Sequence, residues 1–427
     1  MSGVVQKELR KIGARILKIA ENTPVQIFIR IKRGLLARFA NNGVHQNGFQ
    51  DVSTYLLRVQ GKNGPAFRES DDFSEGGIRE AFRELKRIVP QPEPLPALSQ
   101  KKLAKIQEYF SFDEKEIPLT AREAIEKAVK IIRLEKASAN GYFSAYERFF
   151  YLFNSEGLEA FHPATAFRFG LTVTKGAGKG YLSSYHPDFK KIQVEPVVRD
   201  AMQLAGEASG AEIMLKPGTY ECIFSPRAFL ELIDPLRRHF DRRFVETGRS
   251  VFSRKLGKKI FSDQFNLSDD LAHSGQFGIP FDVEGNPKKK VMLVKKGVLK
   301  ELLGEGHATR GILEHPFYPQ NLVMEKGGAS LSDLFSGIKR GIYINKIWYH
   351  TLVRENEMEV TGLATAGSVS IERGKIHGRV SHLRYHDSLF SILRSVTRAS
   401  KEQILLKDGE MGAALLPYVC VSGLKIV

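Results

Sequence analysis

His382 and His386 stand four residues apart in the sequence, and Asp387 directly follows the second histidine. On a helix or a strand, side chains at this spacing face one side, and imidazole and carboxylate groups are ligands of zinc. No third ligand is evident nearby, and two ligands make a poor metal site. We therefore interpret both as solvated surface histidines and keep His382 and His386 as weak candidates for metal binding.

Three other patterns could do chemistry, and each has a simpler structural interpretation. Glu314 and His315 could form an acid/base couple, but the prolines that follow them mark a loop. Residues 175–180, Lys-Gly-Ala-Gly-Lys-Gly, look like a phosphate cradle, yet a strand-like Tyr-Leu pair follows where a Walker loop opens a helix. Ser250 lacks the Gly-x-Ser-x-Gly elbow of a serine hydrolase. We therefore expect a loop, a hairpin tip and no serine nucleophile.

The first half of the chain mixes helical and strand-like patterns. An apolar face at spacings of three and four predicts an opening helix, and strict alternation from Val25 to Ile31 predicts a half-buried strand. Prolines at 90, 92, 94 and 96 predict an extended linker over residues 90–97. Further predicted elements are strands at 35–40 and 52–60, a turn at 41–43 with a polar loop to Gln50, a helix near 78–88 capped by Asp72 or Ser74, a helix opened by a capping box of Thr120 and Glu123, an antiparallel meander over 142–190, and a helix near 197–208.

After residue 210 the sequence pattern changes to that of short strands separated by glycine turns. A strand over 220–224 precedes Ser225 and Pro226, which predict the N-cap and first position of a helix, and Pro235 should kink or restart that helix. Beyond Lys258, short apolar runs between glycine turns predict a β-rich, barrel-like domain. We therefore expect an α+β fold, with an N-terminal α/β domain of helices on an antiparallel or mixed sheet over residues 1–209, and the β-rich domain over 210–427.

Composition limits the class of protein. The hydrophobic fraction of 42% and the charged fraction of 26% are ordinary for a globular domain, and no apolar run reaches the ~18 residues of a membrane span. Cys222 and Cys420 lie in apolar stretches and suit core positions in a reducing cytosol. The first 22 residues lack the uninterrupted apolar core of a signal peptide. We therefore expect a cytoplasmic protein without membrane contact.

The formal net charge of +16 favours acidic partners, nucleic acid included. However, the basic residues are spread along the chain, and no nucleic-acid-binding motif is recognisable. The three lysines at 288–290 are interpreted as a solvated turn, and the aromatic group at 149–153 as sheet core rather than a base-stacking platform. We therefore do not expect nucleic acid to be the main partner.

The most informative stretch of the sequence is residues 267–299. It contains Leu-Ser-Asp-Asp at 267–270, Gly-Ile-Pro-Phe-Asp-Val-Glu-Gly at 278–285, a strand-like run at 291–294 and a Lys-Gly turn at 296–297. This pattern resembles a hallmark of the TldD/PmbA family, proteins once described as modulators of DNA gyrase and now viewed as metallopeptidase components. The resemblance extends nearly end to end, through residues 39–46, 153–157, 247–250, 255–258, 362–367 and 371–374.

In the catalytic branch of this family, a helix carries His-Glu-x-x-x-His, and a later cysteine completes a zinc site that activates water. The resemblance places that helix at Pro226 to Phe240, where only His239 could be a ligand. No His-Glu pair occurs anywhere in the sequence, and Cys420 lies in an alternating, strand-like run away from the position of the family's cysteine ligand. The resemblance therefore implies the PmbA (TldE) branch, with no catalytic residue and no cofactor in this chain.

By this resemblance we expect the non-catalytic subunit of a cytosolic metalloprotease complex that processes unfolded or flexible peptides. Zinc is expected in the partner, a TldD-like homologue in a heterodimer, although a homodimer is also open, and the chain alone should be inactive. Exposed sheet edges could hold an extended peptide by strand addition. The alternatives are a regulatory binding protein acting on nucleic acid or DNA gyrase, and an independent peptidase with an unrecognised site.

Overall fold

The computed structural model describes residues 2–62, 64–93, 95, 116–283, 285–304, 319–408 and 412–427. Within these ranges the chain forms eight α-helices, two 3-10 helices and nineteen strands in two sheets. The predicted α+β fold class is therefore confirmed. None of the helices in the same ranges is long and apolar enough to cross a membrane.

The helices and the strands are each numbered in the order in which they occur along the chain. The helices are α1 (Ser2–Ala20), α2 (Glu75–Ile88), α3 (Ile117–Leu134), α4 (Val194–Glu207), α5 (Pro226–Ile233), α6 (Arg242–Glu246), α7 (Leu331–Ser336) and α8 (Leu389–Arg394), with 3-10 helices at Phe189–Lys191 and Asp234–Phe240. The strands of the first sheet are β1 (Val25–Ala40), β2 (Gly43–Gly61), β3 (Gly64–Ser70), β4 (Ser138–Asn154), β5 (Glu159–Lys175) and β6 (Gly178–His186). Those of the second are β7 (Gly218–Phe224), β8 (Leu267–Asp269), β9 (Val291–Lys295), β10 (Val298–Leu299), β11 (Asn321–Met324), β12 (Arg340–Ile344), β13 (Lys346–Arg354), β14 (Glu359–Thr365), β15 (Val369–Glu372), β16 (Lys375–Arg379), β17 (Leu383–Ser388), β18 (Val396–Asp408) and β19 (Gly412–Ile426).

The first sheet is antiparallel, with the strand order β3-β2-β1-β4-β5-β6. Helices α1 and α2 pack on one end of one face, and α3 and α4 pack on the other end of that same face. Residues directly opposite one another in antiparallel strands share a face, so the apolar odd-numbered positions of β1, such as Ile27 and Leu35, all lie under these helices. The other face of the sheet is left for the C-terminal half and for solvent.

Strands β1 and β2 are longer than the sequence predicted. The two predicted segments at 25–31 and 35–40 form one strand, because Gly34 lets β1 run close to β4, where an added Cβ would lie 2.0 Å from the carbonyl oxygen of Ala145. The predicted turn is confirmed, with positive φ values of 48° at Asn41 and 64° at Asn42. The predicted polar loop to Gln50 is wrong, since residues 43–50 pair with β1 but are exposed and carry no apolar alternation.

The first residues of α2 and α3 show which local sequence signals determine where a helix begins. Helix α2 has the predicted cap, because Ser74 accepts a hydrogen bond from the Gly77 backbone nitrogen at 3.1 Å. The predicted capping box at Thr120 is wrong, since α3 already begins at Ile117 with Pro118 in its first turn, where proline's fixed φ suits a helix. Of the predicted linker, Pro92 pairs with Gly61 in an isolated bridge, whereas residues 94, 96 and 97 lie outside the described residues.

The second sheet is built around β19, which pairs with β7, β11, β17 and β18. The predicted strands at 220–224 and 291–294 are confirmed as β7 and β9. Cys222 and Cys420 are buried, as predicted. The register places Cys222 opposite Val421 and Cys420 opposite Ile223, so the two thiols face opposite sides of the sheet and cannot form a disulfide.

Residues 276–283, which we call the clasp, attach the C-terminal half to the free face of the first sheet. Ile279 and Phe281 are buried against Phe28 and Phe150, and the rings of Phe28 and Phe281 meet edge to face at 6.4 Å between centroids. Gln26 Nε2 donates a hydrogen bond to the Val283 carbonyl oxygen at 2.9 Å. The stretch that is most informative in the sequence therefore holds the two halves together.

Candidate functional site

Helix α5 follows β7 without a loop, at the place where the resemblance puts the catalytic helix. Ser225 is its N-cap: the hydroxyl accepts from the Ala228 backbone nitrogen at 3.1 Å and donates to the Asn345 carbonyl oxygen at 2.5 Å. Pro226 occupies the first helical position, and the chain continues past Pro235 as a 3-10 helix, so both sequence predictions are confirmed. The start of this helix is fixed to the second sheet through Asn345.

Arg227 and Glu231 form an ion pair on one side of α5, with 2.8 Å between Arg227 Nε and Glu231 Oε1. Residues four apart in a helix lie on the same side, so one side of α5 carries a guanidinium and a carboxylate that are paired with each other. Arg227 lies close enough to the phenols of Tyr142 and Tyr181 in the first sheet to interact electrostatically with both. The second carboxylate oxygen of Glu231 accepts a hydrogen bond from the Ile347 backbone nitrogen at 3.1 Å.

Two further cations gather around the same tyrosines. Arg168 donates to the Tyr142 hydroxyl at 3.1 Å, with its guanidinium 5.2 Å from the ring centroid, and Lys346 Nζ lies 4.1 Å from the centroid of Tyr181. Burial raises the pKa of Tyr142 to about 12, with Tyr181 adding to the shift, so this phenol stays neutral. We name Arg168, Arg227, Lys346, Tyr142 and Tyr181 the junction cluster.

The junction cluster is chemically suited to an anionic group. Within the described ranges, neither Arg168 nor Lys346 has a carboxylate partner, and Arg227 shares only Glu231. Three cations are therefore balanced by a single carboxylate where the first sheet meets α5 and β13. A part-buried guanidinium or ammonium binds a carboxylate more strongly than a fully exposed one does.

His239, the one histidine in the predicted catalytic segment, belongs to the core. It is fully buried, and its Nδ1 accepts from the Val251 backbone nitrogen at 3.3 Å. Its Nε2 lies 3.7 Å from Glu355. Burial and the nearby Arg238 lower the pKa of His239 to about 4, so the ring is neutral at pH 7.

The donor groups on and near α5 do not fit a zinc ion. The guanidinium of Arg227 remains protonated and has no lone pair to offer a metal, and Glu231 is already held by Arg227 and by the Ile347 backbone. Burial raises the pKa of the Cys420 thiol to about 11, away from the thiolate that zinc requires. In the part of the chain that the structure describes, no group of three or more His, Cys, Asp and Glu side chains could hold a metal ion.

The two weak metal candidates lie at separate surface positions. His386 is within β17, and its Nε2 is 2.7 Å from the carboxylate of Glu359 on β14. His382 precedes that strand with a φ of 56° and lies near Glu212. Four residues of extended chain span about 13 Å, so the structure does not bring the imidazoles together. The Glu314–His315 couple lies outside the described residues.

The cross-strand register collects basic residues on the helix-free side of the first sheet. The described strands place Arg30, Lys32, Arg38, Arg58, Arg148, Arg168 and Lys179 on this side, together with one carboxylate, Glu69. Glu69 pairs with Arg30. We call this surface the basic face. From the sequence, the basic residues are only seen to be spread along the chain. The signal that could have located this face is the alternation of polar residues in β4 at Tyr142, Ser144, Tyr146 and Arg148.

Lys288 is not the solvated turn residue that the sequence predicted. Its ammonium donates to Gln320 Oε1 at 2.5 Å, and burial lowers the pKa of Lys288 to about 8 while burial also raises the pKa of the neighbouring Asp269. Burial and the Lys288 charge lower the pKa of His162 to about 4, and His162 lines a small cleft between β5 and the clasp. Lys290, in contrast, is exposed and pairs with Asp270 at 2.9 Å.

Comparison with known proteins agrees with this fold. Residues 217–427 match the family described as the PmbA/TldA metallopeptidase C-terminal domain. Through these residues the chain belongs to the TldD/PmbA family. Within it, a zinc metalloprotease TldD homolog of Saccharolobus solfataricus is 27% identical over 146 residues, which are 30% of this chain and 32% of that relative. The aligned part of this chain spans about half the length, or less, of the curated relatives it matches.

Two solved structures share the fold of this TldD/PmbA protein over nearly all of its length. TldE from Thermococcus kodakarensis superimposes with a TM-score of 0.77 at 20% identity and covers 99% of both chains. A putative modulator of a DNA gyrase from Thermotoga maritima superimposes with a TM-score of 0.80 at 17% identity, covering 98% of this chain and 100% of the other. At these identities the likeness concerns the fold alone.

Proposed function

We propose that this TldD/PmbA protein is the subunit without a catalytic zinc ion in a peptidase assembly, and that it acts on unfolded or flexible peptides together with a zinc-bearing TldD-like homologue. The observation that carries the proposal is the Arg227–Glu231 ion pair on α5. It puts a permanently charged, non-ligating group on the helix where the resemblance expects imidazoles. The absence of any His-Glu pair from the full sequence supports the same assignment.

The edge of the second sheet supports a role with extended peptides. In the described part of the chain, β13 pairs with β14 alone, and its beginning lies against Glu231 of α5. Trp348 on this strand is 73% exposed, and Tyr349 and Val353 are half exposed. An open strand edge with exposed aromatic side chains can take up an extended peptide through backbone hydrogen bonds.

Reconstitution tests the proposal. The chain is expressed alone and together with its zinc-bearing homologue, and cleavage of an unstructured peptide is followed by mass spectrometry with and without a chelator. We expect cleavage only by the co-purified pair, and loss of cleavage on chelation. Chelator-sensitive cleavage by the isolated chain would overturn the proposal, and so would failure of the two chains to associate.

The basic face supports a second candidate, a regulatory protein that binds nucleic acid or DNA gyrase. Six of its seven cations are wholly or partly accessible, and only Arg58 is buried. A titration of duplex and single-stranded DNA against salt tests this function, because phosphate contacts give a steep loss of affinity as salt rises. A flat response to salt, or affinity too weak to saturate, would reject it.

A further inference from the structure

The four tyrosines of the basic face share one feature: a cation covers the ring of each. Lys32 lies 4.3 Å from the ring centroid of Tyr146, Arg168 lies 5.2 Å from Tyr142, Lys346 lies 4.1 Å from Tyr181, and Lys407 lies 5.7 Å from Tyr185. Two of these cations come from the first sheet and two from the C-terminal half. Cation–π contact fixes the position of a charge without neutralising it.

This arrangement distinguishes between two kinds of anionic partner. A single-stranded nucleic acid binds by stacking its bases on free aromatic faces, beside cations that contact phosphates. Here the cations already occupy the ring faces, so the rings hold the charges in place and leave little room for a base. Carboxylate groups need only the cations, which remain available for charge-assisted hydrogen bonds.

The charge balance of the basic face also favours a partner that carries carboxylate groups. Arg38, Arg168 and Lys346 have no carboxylate partner among the described residues, and Glu69 is the one acidic side chain that the described strands place on the basic face. Elsewhere, as on helices α2 and α3, arginines such as Arg79 and Arg122 pair with a glutamate four residues away. A surface whose described strands place seven cations and one carboxylate on it is complementary to an acidic partner.

We propose that the basic face, together with the junction cluster at its β4–β6 side, binds peptide segments rich in glutamate and aspartate or ending in a free carboxylate. The proposal rests on the proposed function for the nature of the ligand, a flexible peptide, and adds a preference for acidic sequences that this chain itself imposes. It does not depend on zinc or on cleavage, because binding can be measured with the isolated chain.

Fluorescence anisotropy of the full chain with labelled probes tests the preference. The probes are a short glutamate-rich peptide, the same peptide with glutamine in place of glutamate, a glutamine peptide with either a free or an amidated C-terminus, and a single-stranded oligothymidylate of equal length. We expect the glutamate peptide to bind tightest, with an affinity that falls as salt rises. If the glutamine peptide with a free C-terminus binds more strongly than the amidated one, the terminal carboxylate contributes to the binding affinity.

Variants locate the site. We expect Arg168→Gln and Lys346→Gln each to weaken binding of the glutamate peptide about five-fold or more, the loss of one charge-assisted contact. Arg168→Lys keeps the charge and should retain most of the affinity. Lys130→Gln is the matched control, since it removes one exposed charge from α3 on the opposite, helix-covered side of the sheet, and it should change the affinity less than two-fold.

Three results would overturn the inference. Equal affinity for the glutamate and glutamine peptides would remove the role of carboxylates. Tighter binding of the oligothymidylate, weakened by the same variants, would make the face a nucleic-acid site. An equal loss in Lys130→Gln would show attraction by overall charge. Each result is separate from a failure of peptide cleavage with the zinc-bearing homologue, which would bear on the proposed function alone.

Discussion

Arg227 is the residue whose chemical type decides the interpretation of helix α5. A guanidinium stays protonated and cannot ligate a metal ion, whereas a histidine at the same place could. Its partner Glu231 is fixed twice, by Arg227 and by the Ile347 backbone nitrogen. The side of α5 that faces the first sheet therefore carries a structural ion pair within a positively charged cluster.

Two buried histidines and one half-buried histidine make the stability of the protein depend on pH. Burial lowers the pKa values of His162, His239 and His350 from 6.5 to about 4. Between pH 6.5 and about 4 the unfolded chain binds these protons and the folded chain does not, so stability is full above pH 6.5 and is lost as the pH falls through this window. Each histidine should cost about 2 kcal/mol of unfolding free energy between pH 7 and pH 5.

We expect His162→Gln to remove one such contribution. Denaturant unfolding at pH 7 and pH 5 measures it: the free-energy loss between the two values should be smaller in His162→Gln than in the wild type by about 2 kcal/mol. His45→Gln, which changes an exposed histidine of β2, is the control and should keep the wild-type loss. An identical loss in all three proteins would show that His162 does not stay neutral in the fold.

At the scale of elements, single residue types correctly predicted the helix cap, helix restart and hairpin turn that depend on residues close together in the sequence. The N-cap at Ser225, the restart at Pro235 and the hairpin turn at Asn41–Asn42 follow from single residue types, and all are present. The exposed half of β2 was missed, because its pairing with β1 comes from strand contacts and not from an apolar pattern of its own. The basic face was missed for the same reason, since cations from five separate strands come together only through the register of those strands.

The cap of α5 should contribute more to stability than an exposed cap does. Ser225→Ala removes the bond to the Ala228 nitrogen and leaves the Asn345 carbonyl oxygen without the donor it has in the buried N-cap. We expect a loss of about 2 kcal/mol in unfolding free energy, against about 1 kcal/mol for Ser330→Ala at the exposed cap of α7. Equal losses in urea unfolding would show that the link to Asn345 contributes nothing.

At the scale of the whole molecule, the clasp and the junction cluster join the two halves by different means. The clasp buries aromatic rings against Phe28 and Phe150, whereas the cluster joins tyrosines of the first sheet to cations of α5 and β13. The clasp lies within residues 267–299, the stretch that the sequence analysis found most informative through its resemblance to a family. The packing of the clasp against the first sheet could not be predicted from the sequence, because it depends on contacts between residues more than a hundred positions apart, such as Gln26 and Val283.

Phe281→Ala should loosen this junction more than it affects either core. Removing a fully buried ring costs about 3 to 5 kcal/mol, and here the cavity would open between the halves. We expect faster amide hydrogen exchange in the clasp and in residues 26–30 of β1. Phe252→Ala removes an equally buried ring within the C-terminal core, and it should leave exchange in those two segments unchanged. The same pattern of exchange in both variants would contradict the role of the clasp.

The most direct test of the central claim is a zinc titration of the isolated, metal-stripped chain, with zinc content read by mass spectrometry after gel filtration and peptide cleavage assayed on the same fractions. Since α5 presents an ion pair in place of zinc ligands, the account predicts no stoichiometric zinc after gel filtration and no cleavage. One zinc ion per chain, retained through gel filtration and accompanied by chelator-sensitive cleavage, would contradict it.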